Sequence, residues 1–304
     1  MTSILYLCDR YFYEQKMSRV RFHSMEAISE VANTTWWGPN WEGWEDGGIL
    51  QNINNLISKP DLIVVYKPLD MGNDWKDIDI PICLRYNETY DQDWTKKEIT
   101  ESNSSLVIFH HEDVKFEYIP HSAENTIFKE YTEIKKDWDV LLVGALGYTS
   151  KLGQHYPIRD RMASILDKFP KKYKVARYNR PPGRSGEAYK NGSAIEFAKV
   201  INNTKICITD SGAPKSRFGK YVEIPMCGTV IAGDIPNDDR ESFEKFVIEI
   251  DNTMTDEQII SKITNYLDDS EKLNEMREAG LSWSKQYTQE EYANRFIKKV
   301  ENFI

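Results

Sequence analysis

The sequence predicts an α/β protein with two doubly wound parallel sheets. Its 304 residues suit two domains of about 150 residues each. Short apolar runs alternate with segments of helical period in both halves, and this alternation breaks at residues 118–137. Fully apolar runs, such as residues 61–68, are typical of strands that are covered on both faces of a parallel sheet.

The first half carries the pattern of successive βαβ units. Its helices show apolar residues at helical spacing, and the second of them ends before Pro60, which cannot continue a helix. The predicted strands lie at residues 3–9, 32–38, 61–68, 81–88 and 105–111, and the predicted helices at about 18–32 and 48–59.

The second half repeats the alternation after a stretch with a proline, small polar residues and a charge run, where we place the domain junction. Pro157 suits the first turn of a helix. The predicted strands lie at residues 139–143, 172–179, 206–209, 229–232 and 246–251, and the predicted helices at 157–168, 193–203, 256–267, 270–280 and 289–304.

Composition excludes several classes of protein. No apolar run approaches the roughly 20 residues that span a bilayer. The short apolar run at the N-terminus has no basic residue before it and indicates a first strand, not a signal peptide, so we expect a cytoplasmic protein. Four isolated cysteines without CxxC spacing predict buried, reduced thiols: Cys8, Cys83, Cys207 and Cys227.

Charge is distributed unevenly along the chain. The net charge is −9, yet residues 151–220 contain 16 Lys and Arg and only 5 Asp and Glu, so the other residues sum to −20. An acidic protein with a basic middle segment predicts a local anion site and argues against general binding of polyanions. Part of the basic segment also fits an ordinary solvated surface.

Residues 206–234 are the most informative stretch. A short strand, a turn and a loop with Lys215, Arg217 and Lys220 precede a helical segment with one acid, Glu223, and a second strand follows. This order suits a sugar nucleotide, because the cations would meet phosphate and the acid would meet ribose hydroxyls. The alternative is that Glu223 pairs with one of these cations and has no other role.

Two further loops follow predicted strands of the second half. Glycines after the strand at 139–143 allow backbone N–H groups to approach phosphate, and the next helix adds positive potential at its N-terminus. A stiff proline-containing loop after residues 172–178 suits a wall for a flat base. The predicted donor contacts, besides the four residues above, are Gly144, Ala145, Leu146, Gly147, Arg159, Arg180, Pro182, Ser211, Gly212 and Tyr221.

A tryptophan-rich segment follows the second predicted strand. Trp37, Trp41 and Trp44 lie among glycines and a proline at a spacing that fits neither helix nor strand, which indicates a loop. Exposed indoles stack on the apolar faces of sugars or on bases, so these three residues are candidates for acceptor binding. The alternative is a hydrophobic cluster that pins the loop.

Candidate general bases in the first half are Asp9, His23, Asp91 and His111. Histidines and carboxylates at strand ends can accept a proton from a hydroxyl group near neutral pH. We predict no metal site, because adjacent residues such as His110 and His111 point to opposite faces of a strand.

These motifs together resemble the GT-B glycosyltransferases, close to the group-1 or CgeB-like family. The residues that carry the resemblance are DVLLVGALG at 139–147, YPIR at 156–159, SRFGKYVEIPMCGTVIAGD at 216–234, TDEQIISKITNYLDDSEKLNEMREAG at 255–280 with the final helix, and YIPH at 118–121 with Phe128. It covers about residues 118–304 and is weak in the first half.

The resemblance implies two Rossmann-like domains facing a central cleft. Residues 1–125 would bind the acceptor and residues 126–288 a nucleotide-sugar donor, and the helix at 289–304 would pack back on the first domain. The enzyme would transfer a hexosyl or pentosyl group from a UDP- or GDP-sugar to an acceptor hydroxyl, on a glycan, with no tightly bound cofactor and no required metal.

The resemblance also assigns roles to individual residues and leaves alternatives open. Glu223 would bind the donor ribose, Arg217 and Lys220 the diphosphate, and Gly144 the phosphate or sugar through its backbone. Retaining members often carry two glutamates eight positions apart, but Lys215 stands at the earlier position here, so inversion stays open. Alternatives to a transferase of glycan acceptors are a nucleotide-sugar epimerase or phosphorylase of the same fold, a non-catalytic nucleotide or glycan module, and transfer onto modified DNA.

Overall fold

The computed structural model describes residues 2–14, 19–66, 75–86, 96–97, 99–100, 106–109, 117–150, 153–178, 191–302 and 304. The chain divides into two compact units. The first unit contains Met1–Pro120 and Gln289–Ile304, and the second contains His121–Thr288. The sequence placed the boundary between residues 125 and 126.

The described elements alternate strand and helix through most of the chain. The strands are β1 (Ser3–Leu7), β2 (Asn33–Trp37), β3 (Leu62–Tyr66), β4 (Ile82–Tyr86), β5 (Leu106–Phe109), β6 (Glu117–Tyr118), β7 (Trp138–Leu142), β8 (Thr149–Ser150), β9 (Gly153–Gln154), β10 (Val175–Arg177), β11 (Thr204–Ile208), β12 (Val230–Gly233) and β13 (Val247–Glu249). The helices are α1 (Arg10–Glu14), α2 (Arg19–Val31), α3 (Ile49–Asn54), α4 (Pro157–Ile165), α5 (Asn191–Asn202), α6 (Lys220–Met226), α7 (Arg240–Phe243), α8 (Asp256–Asp268), α9 (Ser270–Ser284) and α10 (Gln289–Val300).

The first unit is built on a parallel sheet of order β2-β1-β3-β4-β5-β6. Alternate side chains of β1 enter two separate cores, as the two-residue period of a strand requires. Ile4 and Tyr6 pack on one face with helices α2 and α10, and Leu5 and Leu7 pack on the other with α3. Phe296 of α10 is fully buried in the first of these cores, so the final helix completes this unit.

The second unit is built on a parallel sheet of order β10-β7-β11-β12-β13. Its central strands are apolar on both faces: Val140 and Leu142 of β7 enter one core, and Leu141 enters the other. Helices α5 and α6 contribute to the core that holds Leu141, and α4 and α8 to the opposite one. The β8–β9 hairpin lies outside the main sheet.

In each sheet, the order in which strands are added reverses at one strand. In the first sheet β1 lies between β2 and β3, and in the second β7 lies between β10 and β11. Successive crossovers leave from opposite sides at such points, which opens a crevice at the carboxyl ends of the two strands. The segments after β1, β7 and β11 are therefore where we look for a functional site.

The four cysteines are buried and unpaired in the structure. Burial raises the pKa values of Cys8, Cys83 and Cys207 to about 12, so these thiols keep their protons at neutral pH and are poor nucleophiles. None of the described helices is both long and apolar enough to cross a membrane.

Candidate functional site

Polar residues gather at the carboxyl edge of the second sheet. Gly144 follows β7, Asp210 and Ser211 follow β11, and Asp234 follows β12. Because these three strands are neighbours in the sheet, their carboxyl ends place the following residues side by side. All but Gly144 are buried, and a buried polar group costs free energy unless it is hydrogen-bonded, so the partners of these residues matter for stability.

A buried ion pair fixes the first turn of α4. The Arg159 Nε donates to Asp210 Oδ1 at 2.7 Å, and the Arg159 backbone N–H donates to Asp210 Oδ2 at 3.1 Å. The Arg159 guanidinium carbon also lies 3.4 Å from the ring centroid of Tyr156. Burial raises the pKa of the Asp210 carboxyl, and the neighbouring Arg159 opposes this rise. Asp210 therefore sets both the helix start and the position of the guanidinium.

The loop after β7 passes directly over this guanidinium. Gly144 has φ +111°, and a Cβ atom there would lie 2.1 Å from Arg159 Nη1. Gly147 has φ +67°, and its N–H donates to Asp160 Oδ1 at 2.8 Å. Between them Ala145 is exposed and Leu146 packs partly against the core. The loop thus keeps a close backbone approach to α4, which only glycine at position 144 permits.

Gly144→Ala is expected to lower the free energy of unfolding by about 3 kcal/mol, because it adds both a left-handed backbone penalty and a clash with a buried side chain. Gly147→Ala is the control, since the φ of Gly147 is also positive, at +67°, but no heavy atom lies within 4 Å of the added Cβ. We expect it to cost about 1 kcal/mol. Urea unfolding of both variants measures the difference in unfolding free energy. Equal losses of unfolding free energy would show that the contact between position 144 and Arg159 does not contribute to the cost.

Asp234 is the centre of a second network, which the sequence did not predict. Its carboxylate accepts from the Ser211 N–H at 2.8 Å, from the Ser211 hydroxyl and from Lys215 Nζ at 2.6 Å. The Tyr221 hydroxyl donates to the Asp234 backbone carbonyl. Burial, with Asp234 and Asp210 nearby, raises the pKa of Tyr221 well above its ordinary value. Asp234 thus joins three predicted donor residues, Ser211 and Lys215 through its carboxylate and Tyr221 through its backbone carbonyl.

Arg217 lies in a buried aromatic cage. Its Nε is 2.9 Å from Asp238 Oδ2, and its guanidinium carbon lies 4.3 Å from the ring centroid of Tyr287 and 5.4 Å from that of Trp283. Phe243 lies slightly further away, at 5.9 Å. This arrangement ties the basic loop to the segment after β12 and to the end of α9, whereas the sequence suggested a contact between Arg217 and phosphate.

Gly212, Lys220 and Glu223 complete the loop and the start of α6. Gly212 has φ +67°, and an added Cβ would contact Phe218 and the His155 carbonyl. Lys220 begins the helix, with its Nζ 5.4 Å from the ring centroid of Phe197. The side chain of Glu223 is buried in the first turn. Its charge is one reason, after burial, why the pKa of Cys227 is raised.

Many cations of the basic middle segment are paired within the second unit. Asp256 accepts from Arg161 and Lys168, Lys172 pairs with Asp268, and Lys205 pairs with Asp139. Arg159, Lys215 and Arg217 pair with the carboxylates described above. Part of the excess positive charge seen in the sequence is therefore offset by acids that come mostly from later parts of the chain.

In the first unit, Asp9 follows β1, the strand at which the order of the first sheet reverses. It is partly exposed, and each carboxylate oxygen accepts one hydrogen bond: Oδ1 from the Tyr11 N–H and Oδ2 from Asn40 Nδ2, both at 2.7 Å. His23 is instead buried in α2 beside Phe22. Among the described candidate bases, Asp9 is the one at the edge where a ligand is expected.

The tryptophan segment forms the predicted loop after β2, and its three indoles differ in their surroundings. Trp37 and Trp44 meet edge-on at 4.8 Å and pack against the core that contains Leu5 and Leu7. Trp41 belongs to no core cluster among the described residues, and its Nε1 donates to the Cys8 carbonyl at 3.0 Å. Trp37 and Trp44 thus fit the alternative of a hydrophobic cluster that holds the loop, and Trp41 fits it less well.

Four predicted site residues lie outside the described residues: Asp91, His111, Arg180 and Pro182. Within the described ranges, no group of three or more histidine, cysteine or acidic side chains is arranged to hold a metal ion.

We compared the sequence and the fold with those of known proteins. No family model matches the sequence, and no curated protein matches it either. Solved structures do match. HepE of Anabaena, in complex with UDP and glucose, has a TM-score of 0.62 at 10% identity, with 99% of this chain and 100% of HepE covered.

Two further structures match over 99% of both chains. One is an alpha-glucosyltransferase in complex with UDP and a mismatched 13-mer DNA, with a TM-score of 0.60 at 11% identity. The other is sucrose-phosphate synthase of Thermosynechococcus elongatus, with a TM-score of 0.61 at 10% identity. These likenesses confirm the predicted α/β fold class with GT-B architecture, whereas the CgeB-like assignment stays a prediction.

Proposed function

We propose that this protein is a glycosyltransferase that moves a sugar from a nucleoside diphosphate donor, UDP- or GDP-linked, to an acceptor hydroxyl on a glycan. The observation that carries the proposal is the convergence of Gly144, Arg159, Asp210 and Asp234 at the switch point of the second sheet. Two of the similar structures, HepE and the alpha-glucosyltransferase, are complexes with UDP. The convergence brings the backbone N–H groups of the loop after β7 to the N-terminus of α4, which suits a diphosphate.

Roles for the predicted donor residues follow from their contacts. We assign the diphosphate to the backbone N–H groups of Gly144, Ala145 and Leu146 and to Lys220, and the ribose hydroxyls to Glu223. Lys215 and Arg217 are already ion-paired, so we assign them to holding the loop in place. Arg180 and Pro182 lie outside the described residues, and their contact with the base stays a proposal from the sequence.

Transfer would break the bond between the anomeric carbon and the β-phosphate oxygen and form a bond to the acceptor oxygen. Negative charge then develops on the leaving diphosphate, where the α4 N-terminus and Lys220 would stabilise it without a metal ion. The acceptor hydroxyl gives up its proton. With inversion we propose the carboxylate of Asp9 as the group that receives it; with retention the leaving phosphate can receive it.

A thermal-shift screen tests the donor assignment. A ligand that binds only the folded state stabilises it by about 2.7 kcal/mol at 100 times its Kd. We expect UDP or GDP, and the corresponding sugar nucleotides, to raise the melting temperature, and AMP and free ribose to leave it unchanged. No shift with any nucleoside diphosphate would contradict the proposal.

Arg217→Met separates loop support from phosphate binding. The variant keeps an apolar stem over Tyr287 but leaves the buried Asp238 without its cation, so we expect a loss of about 2 kcal/mol in unfolding free energy. We expect the ratio of UDP to uridine affinity to stay the same, because Arg217 faces Asp238. Calorimetric titration measures this ratio.

Lys220→Met is the contrasting variant for the same titration, and it should lower the affinity for UDP more than that for uridine. If Arg217→Met lowers the UDP affinity selectively instead, Arg217 is a phosphate ligand as the sequence first suggested.

The competing proposals predict other outcomes. A binding module would show the thermal shift but would never release the nucleoside diphosphate. Transfer onto modified DNA is favoured by the likeness to the DNA-bound alpha-glucosyltransferase, and opposed by the ion pairs that offset the basic segment. Affinity for duplex DNA that falls steeply with salt would support it.

A further inference from the structure

We infer that Asp9, Asn40 and Trp41 form a binding subsite for an uncharged saccharide in the first unit. This inference rests on the proposed function and goes further, because it names the chemical class of the acceptor and adds Asn40 to the site. It also selects one of the three predicted tryptophans over the other two.

The carboxylate of Asp9 is held in one orientation. Its two oxygens accept from different elements, the Tyr11 N–H at the start of α1 and the Asn40 amide in the loop after β2. Each oxygen keeps a further lone-pair direction for a ligand hydroxyl. Asn40 has φ +66°, a conformation that asparagine tolerates better than most residues and that brings its amide to Asp9. A fixed carboxylate beside an amide group can bind neighbouring hydroxyls of a sugar.

Trp41 adds an apolar surface to this polar pair. The residue is partly exposed, lies outside the described cores and has its ring centroid 5.1 Å from that of Tyr13. Its indole N–H is already bonded to the Cys8 carbonyl, so the ring is fixed and its remaining surface is apolar. Rigid aromatic rings beside hydrogen-bonding groups suit the mixed polar and apolar faces of a sugar.

The loop has backbone ties to the segment after β1 in addition to the hydrogen bond of the Trp41 indole. The backbone N–H of Cys8 donates to the Trp37 carbonyl, and that of Arg10 donates to the Pro39 carbonyl, both at 3.0 Å. A Cβ at Gly38 would lie 2.5 Å from the Cys8 carbonyl oxygen, which shows how closely the two segments already approach. Backbone contacts thus hold the loop against β1, and the indole of Trp41 is available for a ligand.

The charges near Asp9, Asn40 and Trp41 favour an uncharged ligand over an anionic one. Residues 9–14 and 36–48 contain five carboxylates and one cation, Arg10, and Arg10 pairs with Glu14. A phosphate or a nucleic acid would meet repulsion here, whereas an uncharged sugar would not. We therefore expect a neutral saccharide, not a sugar phosphate and not DNA.

Saturation-transfer NMR on the full chain tests the inference without any donor. The probes are maltose, cellobiose and lactose as neutral saccharides, with glucose 1-phosphate and a 13-nucleotide DNA duplex as anionic ones. We expect at least one neutral disaccharide to bind and the anionic probes not to bind. Trp41→Ala should weaken that binding at least tenfold, and Trp138→Ala, which removes an exposed indole from the second unit, should not change it.

Asn40→Gly removes the amide and keeps a residue that adopts positive φ freely, so it should weaken saccharide binding by about fivefold, an amount typical of one lost hydrogen bond. Unchanged binding in folded Trp41→Ala, or tighter binding of an anionic probe, would overturn the inference. The nucleotide thermal shift, measured on the same samples, keeps the two proposals apart. A shift without saccharide binding refutes only the subsite, and saccharide binding without a shift refutes only the nucleotide-sugar donor.

Discussion

Asp210→Ala is expected to lower the free energy of unfolding by about 3–5 kcal/mol, because it leaves the buried guanidinium of Arg159 without its counter-ion. It also removes the acceptor of the Arg159 backbone N–H at the start of α4. Urea unfolding measures the loss. The carboxylate holds the helix start and the glycine loop together, so we also expect nucleotide affinity to fall in this variant.

Asp160→Ala provides the control for this prediction. Asp160 also lies in the first turn of α4 and accepts from the Gly147 N–H and from Gln154, but it is less buried and has no buried cation to neutralise. We expect it to cost about 1 kcal/mol. The double variant Arg159→Met with Asp210→Leu should recover much of the loss, since it removes both charges. Equal losses in the Asp210 and Asp160 variants would contradict a dominant role for the ion pair.

Glu223→Ala is expected to weaken UDP or GDP binding by about 10- to 100-fold, because hydrogen bonds to a charged group are worth about 1.5–3 kcal/mol. Isothermal titration measures the change. Glu196→Ala is the matched control, since this glutamate is exposed on the neighbouring helix α5. Its affinity for the nucleotide should equal that of the wild type.

The 2′-deoxynucleotide sharpens this test of Glu223. If the carboxylate binds the ribose hydroxyls, wild-type protein should bind the deoxynucleotide more weakly than the ribonucleotide, and Glu223→Ala should bind both equally. A preference for the ribonucleotide that survives in Glu223→Ala would place the ribose elsewhere.

The strands could be predicted from the sequence because their apolar runs are continuous. The runs at 61–68 and 81–88 correspond to β3 and β4, and the glycine after residues 220–226 does end α6, with Gly228 at φ +62°. Short elements were missed. Strand β6 has two residues and helix α1 has five, too few for a period to appear.

The partners of charged residues could not be predicted, because the fold brings together acids and bases that are far apart in sequence. Arg217 has neighbouring cations in the chain and suggested a phosphate ligand, whereas in the structure its Nε lies 2.9 Å from the carboxylate of Asp238, in the segment after β12. Asp234 follows a predicted strand, which is the one signal that could have identified it. Among the tryptophans, spacing indicated a loop, but only packing separates Trp41 from Trp37.

Release of the nucleoside diphosphate is the most direct measurement of the central claim. Purified protein is incubated with a panel of UDP- and GDP-sugars, alone and with a neutral disaccharide, and the freed UDP or GDP is quantified. The account predicts release from at least one sugar nucleotide, faster with the acceptor, and strongly reduced release by Glu223→Ala at donor concentrations below its KM. A protein that is stabilised by a sugar nucleotide, yet releases no diphosphate with any acceptor offered, would contradict it.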